Sequence, residues 1–186
     1  MNIVVAVTGA SGAIYARQTL ECLLASDEVE SIALIVSDNA RKVISHEGIC
    51  LPDDGRIRRF DNDDMTASVA SGSAEWDAMI VVPASMGTLG RIAAGVSHSL
   101  IERAADVMLK ERRRLILVVR EAPYSLIHLR NMTALTQAGG IILPASPSFY
   151  IKAATIDELC MSVTLRAVSM AGIETERERW GDERNV

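Results

Sequence analysis

Two short runs of small and hydroxyl residues follow apolar stretches, and both could bind an anion. Residues 9–12 (Gly-Ala-Ser-Gly) follow the apolar run 3–7 after one threonine, and residues 83–88 (Pro-Ala-Ser-Met-Gly-Thr) follow the run 79–82. Backbone N–H groups at such a helix start, together with the helix dipole, favour a phosphate. Because there is no Gly-x-Gly-x-x-Gly pattern and no acidic residue placed for a ribose, a mononucleotide such as FMN fits better than NAD. The alternative is that the glycines only make tight turns while the serines cap helices.

Charged and polar residues also follow the other apolar runs. Arg120 and Glu121 come directly after the run 115–119. A charged pair beside a buried strand needs a partner or a ligand, although neighbouring surface charges could satisfy both. Ser37 follows the second run and is either a helix N-cap or a ligand contact. Tyr150 lies in the loop after the last run, where composition leaves packing and binding equally open.

Three further charged residues are candidates on weaker grounds. Arg103 and Lys110 lie seven residues apart and so share one helix face. They could clamp a phosphate, although the spacing alone favours ordinary solvated charges. Glu47 falls at the end of a predicted helix, where a carboxylate opposes the helix dipole, and this unfavourable placement hints at a specific role. The three histidines lack metal-ligand spacing, so no metal site is predicted.

Apolar runs alternate with helical patterns along the chain, and this alternation predicts a parallel sheet covered by helices on both faces. The runs are rich in β-branched residues, as in strands that are buried on both sides. The predicted strands are 3–7, 31–36, 79–82 (ended by Pro83), 115–119 and 141–143, and the predicted helices are 13–25, 38–46, one soon after Ser85, 100–110, 125–137 and 156–171. Residues 51–75 are predicted to be irregular with at most one short strand. The expected fold is one doubly wound α/β domain, 1–173, with a charged tail, 174–186.

The composition fits one globular domain and excludes several classes of protein. Of the 186 residues, 49% are hydrophobic and 23% charged, which suits one sizeable core and argues against disorder. A net charge of −5 and 4% aromatic residues argue against a nucleic-acid binder. Three scattered cysteines suit a reducing compartment. There is no signal-peptide pattern and no apolar run of about 20 residues, so we expect a soluble cytoplasmic protein.

Five motifs occur in the order found in a known family. They are 8–13 (Thr-Gly-Ala-Ser-Gly-Ala), 70–73 (Ala-Ser-Gly-Ser), 83–89 (Pro-Ala-Ser-Met-Gly-Thr-Leu), 100–107 (Leu-Ile-Glu-Arg-Ala-Ala-Asp-Val) and 120–123 (Arg-Glu-Ala-Pro), followed by Phe149-Tyr150. With them the chain resembles the flavin prenyltransferases of the UbiX/Pad type over nearly its whole length. The resemblance implies a flavodoxin-like (Rossmann-like) subunit in a homododecamer with active sites between subunits. It also implies transfer of a dimethylallyl group from dimethylallyl phosphate to N5 and C6 of reduced FMN, which makes prenylated FMN for a UbiD-type decarboxylase.

The resemblance also assigns roles to individual residues. The FMN-binding positions would be Gly9, Ala10, Ser11, Ser37, Ser85, Met86, Gly87, Thr88 and Arg120. The positions around the prenyl phosphate would be Arg103, Lys110, Glu121, Tyr150 and Arg166. Ser11 and Glu121 would handle protons during ring closure, with Glu47 supporting Ser11. The chain departs from the family pattern where Asp64-Met65 replaces a tryptophan and where Val119 and Ala153 replace prolines, and the first change concerns how the flavin or the prenyl tail is covered.

Two other functions are compatible with this type of fold. Flavin-dependent cysteine decarboxylases carry a catalytic histidine after the second strand region and a Pro-x-Met-Asn turn, whereas Pro83 here leads into Ala-Ser-Met-Gly. A non-catalytic flavin electron carrier would not need Arg103, Lys110 and Arg166 around a second anion. The sequence therefore favours the prenyltransferase.

Overall fold

Six parallel strands form one sheet in the computed structural model, which describes residues 1–175. The strands are β1 (Asn2–Val7), β2 (Ser31–Val36), β3 (Ile57–Phe60), β4 (Ala78–Ala84), β5 (Arg114–Val119) and β6 (Ile141–Pro144). Their order across the sheet is β3-β2-β1-β4-β5-β6, and every neighbouring pair is parallel. The predicted parallel sheet is therefore confirmed.

Helices cover both faces of this sheet. They are α1 (Ala13–Ala25), α2 (Asp38–Glu47), α3 (Met86–Ala93), α4 (Leu100–Lys110), α5 (Leu126–Gln137) and α6 (Ile156–Ala171), with short 3₁₀ helices at Ser68–Ala70 and Phe149–Ile151. Helices α1, α2 and α6 pack on one face, and α3, α4 and α5 pack on the other. No helix within residues 1–175 is long and apolar enough to cross a membrane.

The alternation of side chains along each strand divides the core into two layers. In β1, Val5 packs with α1 and α6 on one face, and Val4 packs with α3 and α4 on the other. Both side chains are fully buried. A strand that is covered on both faces must be apolar throughout, which is why the predicted strands have no polar side in the sequence.

The predicted end of β4 was wrong, whereas the short strand expected in the irregular segment is present. Strand β4 does not end before Pro83 but continues to Ala84, which pairs with Val119 of β5. Proline is tolerated there because it lacks only an N–H, while its carbonyl still accepts a hydrogen bond from the Thr8 N–H at 3.3 Å. The irregular segment does contain one short strand, β3, which extends the sheet at the edge next to β2.

Residues 176–186 of the predicted charged tail lie outside the described residues, so the tail stays a prediction.

The order of the strands creates a crevice between the ends of β1 and β4. The chain proceeds from β1 to its neighbour β2 on one side, and from β4 to β5 on the other. The loops after β1 and β4 therefore diverge, and ligands of open parallel sheets bind at such a point. Without the edge strand β3, the remaining five strands have the order of flavodoxin-like folds.

Candidate functional site

A buried threonine joins the two loops that border the crevice. The Thr8 side chain is 1% exposed and lies between the carboxyl ends of β1 and β4. Its hydroxyl donates to the Pro83 carbonyl at 2.7 Å and accepts from the Ser85 N–H at 2.8 Å. These bonds fix the start of α3 relative to the loop that leads into α1.

The start of α1 is occupied by a carboxylate of the chain itself. Glu47, the last residue of α2, accepts hydrogen bonds from the Gly12 N–H at 2.9 Å and the Ala13 N–H at 2.7 Å. The loop makes this approach with Gly12 in the left-handed region at φ 109°, which favours glycine. Glu47 therefore supplies negative charge at this helix start and occupies the N–H groups of Gly12 and Ala13, while the predicted anion contact of residues 9–11 stays a prediction. Ser11 does not cap α1, since the N-cap residue is Gly12.

Glu47 also interacts with Ser11 and Arg120. The Ser11 hydroxyl donates a hydrogen bond to the Glu47 carboxylate, and the Arg120 Nε donates to the Ser11 carbonyl at 3.2 Å. Burial alone would raise the pKa of Glu47, but the hydrogen bonds of this loop and the charge of Arg120 outweigh burial and lower that pKa. Glu47 is thus an anion at neutral pH that holds the hydroxyl proton of Ser11.

A polar cleft of about 480 Å³ lies beside this loop, where the first turns of α2, α3 and α4 meet. Five of the nine predicted flavin-binding residues line it, namely Gly9, Ser37, Ser85, Gly87 and Thr88. The other lining residues are Asp38, Asn39, Lys42, Asn62, Arg91, Ser99 and Ile101. Of the four predicted residues that do not line the cleft, Ala10 and Met86 are buried, and Ser11 and Arg120 lie at the adjoining loop.

Two of these helix starts still have backbone donors for a ligand. Ser37 caps α2 by accepting from the Ala40 N–H at 3.2 Å, and Ser85 caps α3 by accepting from the Thr88 N–H at 3.4 Å. Each cap satisfies one N–H of a first turn, and the other N–H groups there have no acceptor inside their helix. The two starts therefore form a concave surface of donors that suits an anion.

The cleft walls are close together and carry positive charge. A Cβ atom added to Gly9 would lie 2.7 Å from the Asn39 Cβ, so only glycine fits where the loop meets α2.

Lys42 of α2 and Arg91 of α3 contribute cationic side chains to the cleft. Neither was predicted, since no local motif distinguishes them from ordinary helix-surface charges. Asp38 also borders the cleft, but its side chain is almost fully exposed and lies near Arg41.

The structure does not bring Arg103 and Lys110 to this cleft within one chain. Helix α4 begins at the carboxyl edge of the sheet and ends next to the start of β5, so Lys110 lies at the opposite edge. Lys110 pairs with Glu111 and packs against Gly72. Arg103 donates to the Ala70 carbonyl at 3.0 Å and pairs with Asp106 at 2.5 Å. Within one chain these two residues therefore do not join the cleft, and their place around the prenyl phosphate stays a prediction that requires a site between subunits.

The remaining predicted substrate residues lie on the surface of other elements. Tyr150 is half-exposed in the second 3₁₀ helix, and Arg166 is exposed on α6. Glu121 follows β5 and accepts a hydrogen bond from the Ala122 N–H at 2.9 Å. Asp64, the departure from the family tryptophan, closes a turn by accepting from the Thr66 N–H at 3.0 Å and its hydroxyl at 2.6 Å. None of these contacts involves Ser11 or Glu47.

Comparisons with known proteins show the family and the fold. A protein-family model described as Flavoprotein matches residues 1–166. The flavin prenyltransferase UbiX of Methanocaldococcus jannaschii is 43% identical, over 97% of this chain and 99% of its own. The crystal structure of AnUbiX (PadA1) in complex with FMN and dimethylallyl pyrophosphate is 44% identical, with a TM-score of 0.90 over 97% of each chain.

Two further solved structures bear on the assembly and on the alternatives. A dodecameric FMN-dependent UbiX-like decarboxylase from Escherichia coli O157:H7 is 38% identical, with a TM-score of 0.89 over 98% of this chain and 100% of its own. The FMN-dependent cysteine decarboxylase TvaF is only 16% identical, with a TM-score of 0.62 over 92% of this chain and 98% of its own. The likeness to TvaF shows a shared fold and nothing more.

Replacing Glu47 with glutamine tests the carboxylate at the start of α1. Glu47→Gln removes the negative charge that faces the helix dipole, so we expect the free energy of unfolding at pH 7 to fall by about 1 kcal/mol in urea titrations. Because folding lowers the pKa of Glu47, its contribution is complete above the ordinary value of 4.5 and is lost as the pH falls through the folded value.

The stability difference between the wild type and Glu47→Gln should therefore shrink as the pH is lowered from about 6 to about 3. Glu21→Gln is the matched control, because Glu21 makes only a surface ion pair with Arg17 at 3.6 Å. A Glu47→Gln difference that is absent at pH 7, or that does not change with pH, would contradict the capping role.

Proposed function

Because the chain belongs to the UbiX/Pad family of flavin prenyltransferases, we propose that its cleft binds reduced FMN as the acceptor of a dimethylallyl group. The donor is a dimethylallyl phosphate ester, in line with the dimethylallyl pyrophosphate of the AnUbiX complex. The observation that carries the proposal is the convergence of five predicted flavin-binding residues on one cleft at the switch point of the sheet.

The terminal phosphate of FMN binds between the first turns of α2 and α3. Ser37 and Ser85 leave backbone donors unused there, and Lys42 and Arg91 balance the charge of a phosphate dianion. The start of α1 is excluded because Glu47 accepts its N–H groups and would repel a phosphate. The residues of the cleft therefore fit an FMN whose phosphate lies away from α1.

The flavin ring then lies toward Ser11 and Arg120. When bound, reduced FMN supplies the nucleophilic N5 and C6 atoms to which the dimethylallyl group is joined. Ser11 accepts the proton that ring closure releases and passes its own hydroxyl proton along the existing hydrogen bond to the Glu47 carboxylate. The Arg120 guanidinium keeps this loop in place through the Ser11 carbonyl. Glu121 is the second candidate for proton transfer.

The donor needs cations around its phosphate, since breaking the allylic C–O bond leaves a phosphate anion and an allyl cation. Positive side chains that face the departing phosphate stabilise that charge as it develops. Exclusion of water protects the allyl cation from capture. Arg103, Lys110, Tyr150 and Arg166 have the required chemistry, but one chain holds Arg103 and Lys110 away from Ser11.

A neighbouring subunit therefore completes the phosphate cage. The outer surface of α5 is apolar and uncovered, with Leu126, Ile127 and Leu129 all about half or more exposed. Phe149 and Tyr150 add exposed aromatic rings. Apolar surface of this kind marks interfaces between chains. The dodecameric E. coli relative supports an assembly of the same size for this chain.

We extend the proposal to the product and its compartment. Prenylated FMN is released to a UbiD-type decarboxylase, which uses it as a cofactor. The three cysteines are free thiols, so the chain suits the reducing cytoplasm. Both statements extend the proposal and are tested with purified recipient enzyme and by fractionation of cells.

The proposal is tested by anaerobic incubation of the protein with reduced FMN and dimethylallyl monophosphate, with the diphosphate in parallel. We expect a flavin that is heavier by one five-carbon unit in mass spectrometry. Ser11→Ala should still bind FMN but lower the rate roughly a hundredfold at saturating FMN, because the proton acceptor is lost. Ser45→Ala, which removes an exposed hydroxyl of α2, is the matched control and should keep the wild-type rate.

A bound flavin that remains unmodified with both donors would contradict the prenyltransferase and favour an electron carrier. Equal rates for Ser11→Ala and Ser45→Ala would remove Ser11 from the chemistry while leaving the transferase activity in place.

Mixed assemblies test whether the site is shared between subunits. Ser11→Ala and Lys110→Ala chains should each be nearly inactive, since each lacks one part of every site. Random mixing of the two chains should restore about a quarter of the wild-type rate, because one site in four then has both intact residues from different subunits. If both residues acted within one chain, the mixture would stay as inactive as its two parents.

A further inference from the structure

A buried carboxylate lies behind the positively charged wall of the cleft. Glu102, in the first turn of α4, is 2% exposed. One of its oxygens accepts from the Arg91 Nε, and the other accepts from the N–H groups of His98 at 2.9 Å and Ser99 at 3.0 Å. Every polar contact of this carboxylate is therefore with Arg91 or with the two residues that lead into α4.

Glu102 fixes the orientation of the Arg91 guanidinium. Besides the contact with Glu102, the Arg91 Nη2 donates to the Thr88 hydroxyl at 3.2 Å. Its Nη1 lies over the first turn of α3, where a Cβ atom added to Gly87 would be 3.4 Å away. Guanidinium has five N–H donors, so several remain for a ligand after these two contacts. The half-exposed Arg91 side chain presents them to the cleft.

Lys42 is the second cation of the cleft and comes from the α2 wall. Within residues 1–175 it has no carboxylate at ion-pair distance, whereas its neighbour Arg41 lies near Asp38 and Asp61. A cation that is not neutralised by the chain raises the attraction for an anionic ligand. The guanidinium of Arg91 is therefore fixed in its orientation, whereas the ammonium of Lys42 lies at the end of a flexible side chain.

We propose that Glu102 is a positioning residue that orients Arg91. Arg91 and Lys42 together then bind the terminal phosphate of the flavin acceptor. This pair makes the protein select FMN over the unphosphorylated flavin riboflavin. The inference rests on the proposed function, because it assumes that FMN occupies the cleft. Glu102 itself does not touch the flavin.

The Glu102 carboxylate lies near the proposed phosphate site without repelling the phosphate. The carboxylate accepts the N–H groups before and at the N-cap of α4, while Asn62 accepts the N–H groups of Leu100 and Ile101 in its first turn, so the chain itself satisfies that helix start. Its charge is buried behind the guanidinium, so the phosphate meets the N–H side of Arg91 and not the carboxylate. A guanidinium that is already oriented loses less conformational freedom when it binds an anion.

Binding measurements with two flavins test the proposal. Dissociation constants of FMN and riboflavin are measured by titration calorimetry for the wild type, Arg91→Met, Lys42→Met and Glu102→Gln. We expect each variant to bind FMN roughly tenfold or more weakly, as for the loss of a charge-assisted hydrogen bond, and to bind riboflavin within about twofold of the wild type. Arg41→Met removes the same charge from the same helix outside the cleft and should change neither constant.

The double variant separates positioning from a purely structural role. If Glu102 acts through Arg91, Glu102→Gln should have no further effect on FMN binding in the Arg91→Met background. Equal losses for FMN and riboflavin in Glu102→Gln, or additive losses in the double variant, would overturn the positioning role. Should Glu102→Gln fail to fold, Glu102→Asp is used instead, and Arg91→Met and Lys42→Met still test the grip on the phosphate.

Failure of this inference is distinguishable from failure of the proposed function. A wild type that prenylates FMN, together with Arg91→Met and Lys42→Met variants that keep its ratio of FMN to riboflavin affinity, would overturn the inference alone. A wild type that binds neither flavin would overturn both.

Discussion

The negative charge available to each helix start at the carboxyl edge of the sheet determines where an anionic ligand can bind. Four helices begin around the crevice, and each has backbone N–H groups and a positive dipole end to satisfy. Glu47 accepts N–H groups at the start of α1, and Glu102 together with Asn62 accepts those at the start of α4. The starts of α2 and α3 have the serine caps Ser37 and Ser85, and Asp38 in the first turn of α2 is exposed and lies near Arg41. Both starts border the cleft, and within residues 1–175 neither has a buried carboxylate on its first-turn N–H groups.

In the proposed function, this distribution places the proton transfer and the phosphate of FMN at different parts of the edge. Glu47 holds the Ser11 hydroxyl at one side of the loop after β1, where its lowered pKa keeps it ionised. Lys42 and Arg91 lie on the other side, beside the serine caps. Thr8 links the loops after β1 and β4, so the two regions keep a fixed spacing. A flavin whose ring and phosphate occupy the two regions would be held by both ends.

Local patterns predicted most of the fold but only part of the site. The bounds of α1, α4 and α6 agree with prediction because apolar periodicity and capping residues lie within each segment. The course of β4 through Pro83 depends on Thr8, which is 75 residues away, and no local signal reveals it. Glu47 stood out only as a carboxylate at an unfavourable helix end. Arg91 and Glu102 could not be predicted, because their role depends on two helices meeting in space.

A crystal structure of the protein with FMN bound tests most directly whether Glu47 excludes the phosphate from α1. We predict that the phosphorus atom lies within hydrogen-bonding reach of the first turns of α2 and α3, near Lys42 and Arg91. The hydrogen bonds from Gly12 and Ala13 to Glu47 should remain intact. A phosphate bound to the N–H groups of Gly12 and Ala13, with Glu47 displaced, would contradict this assignment of the helix starts.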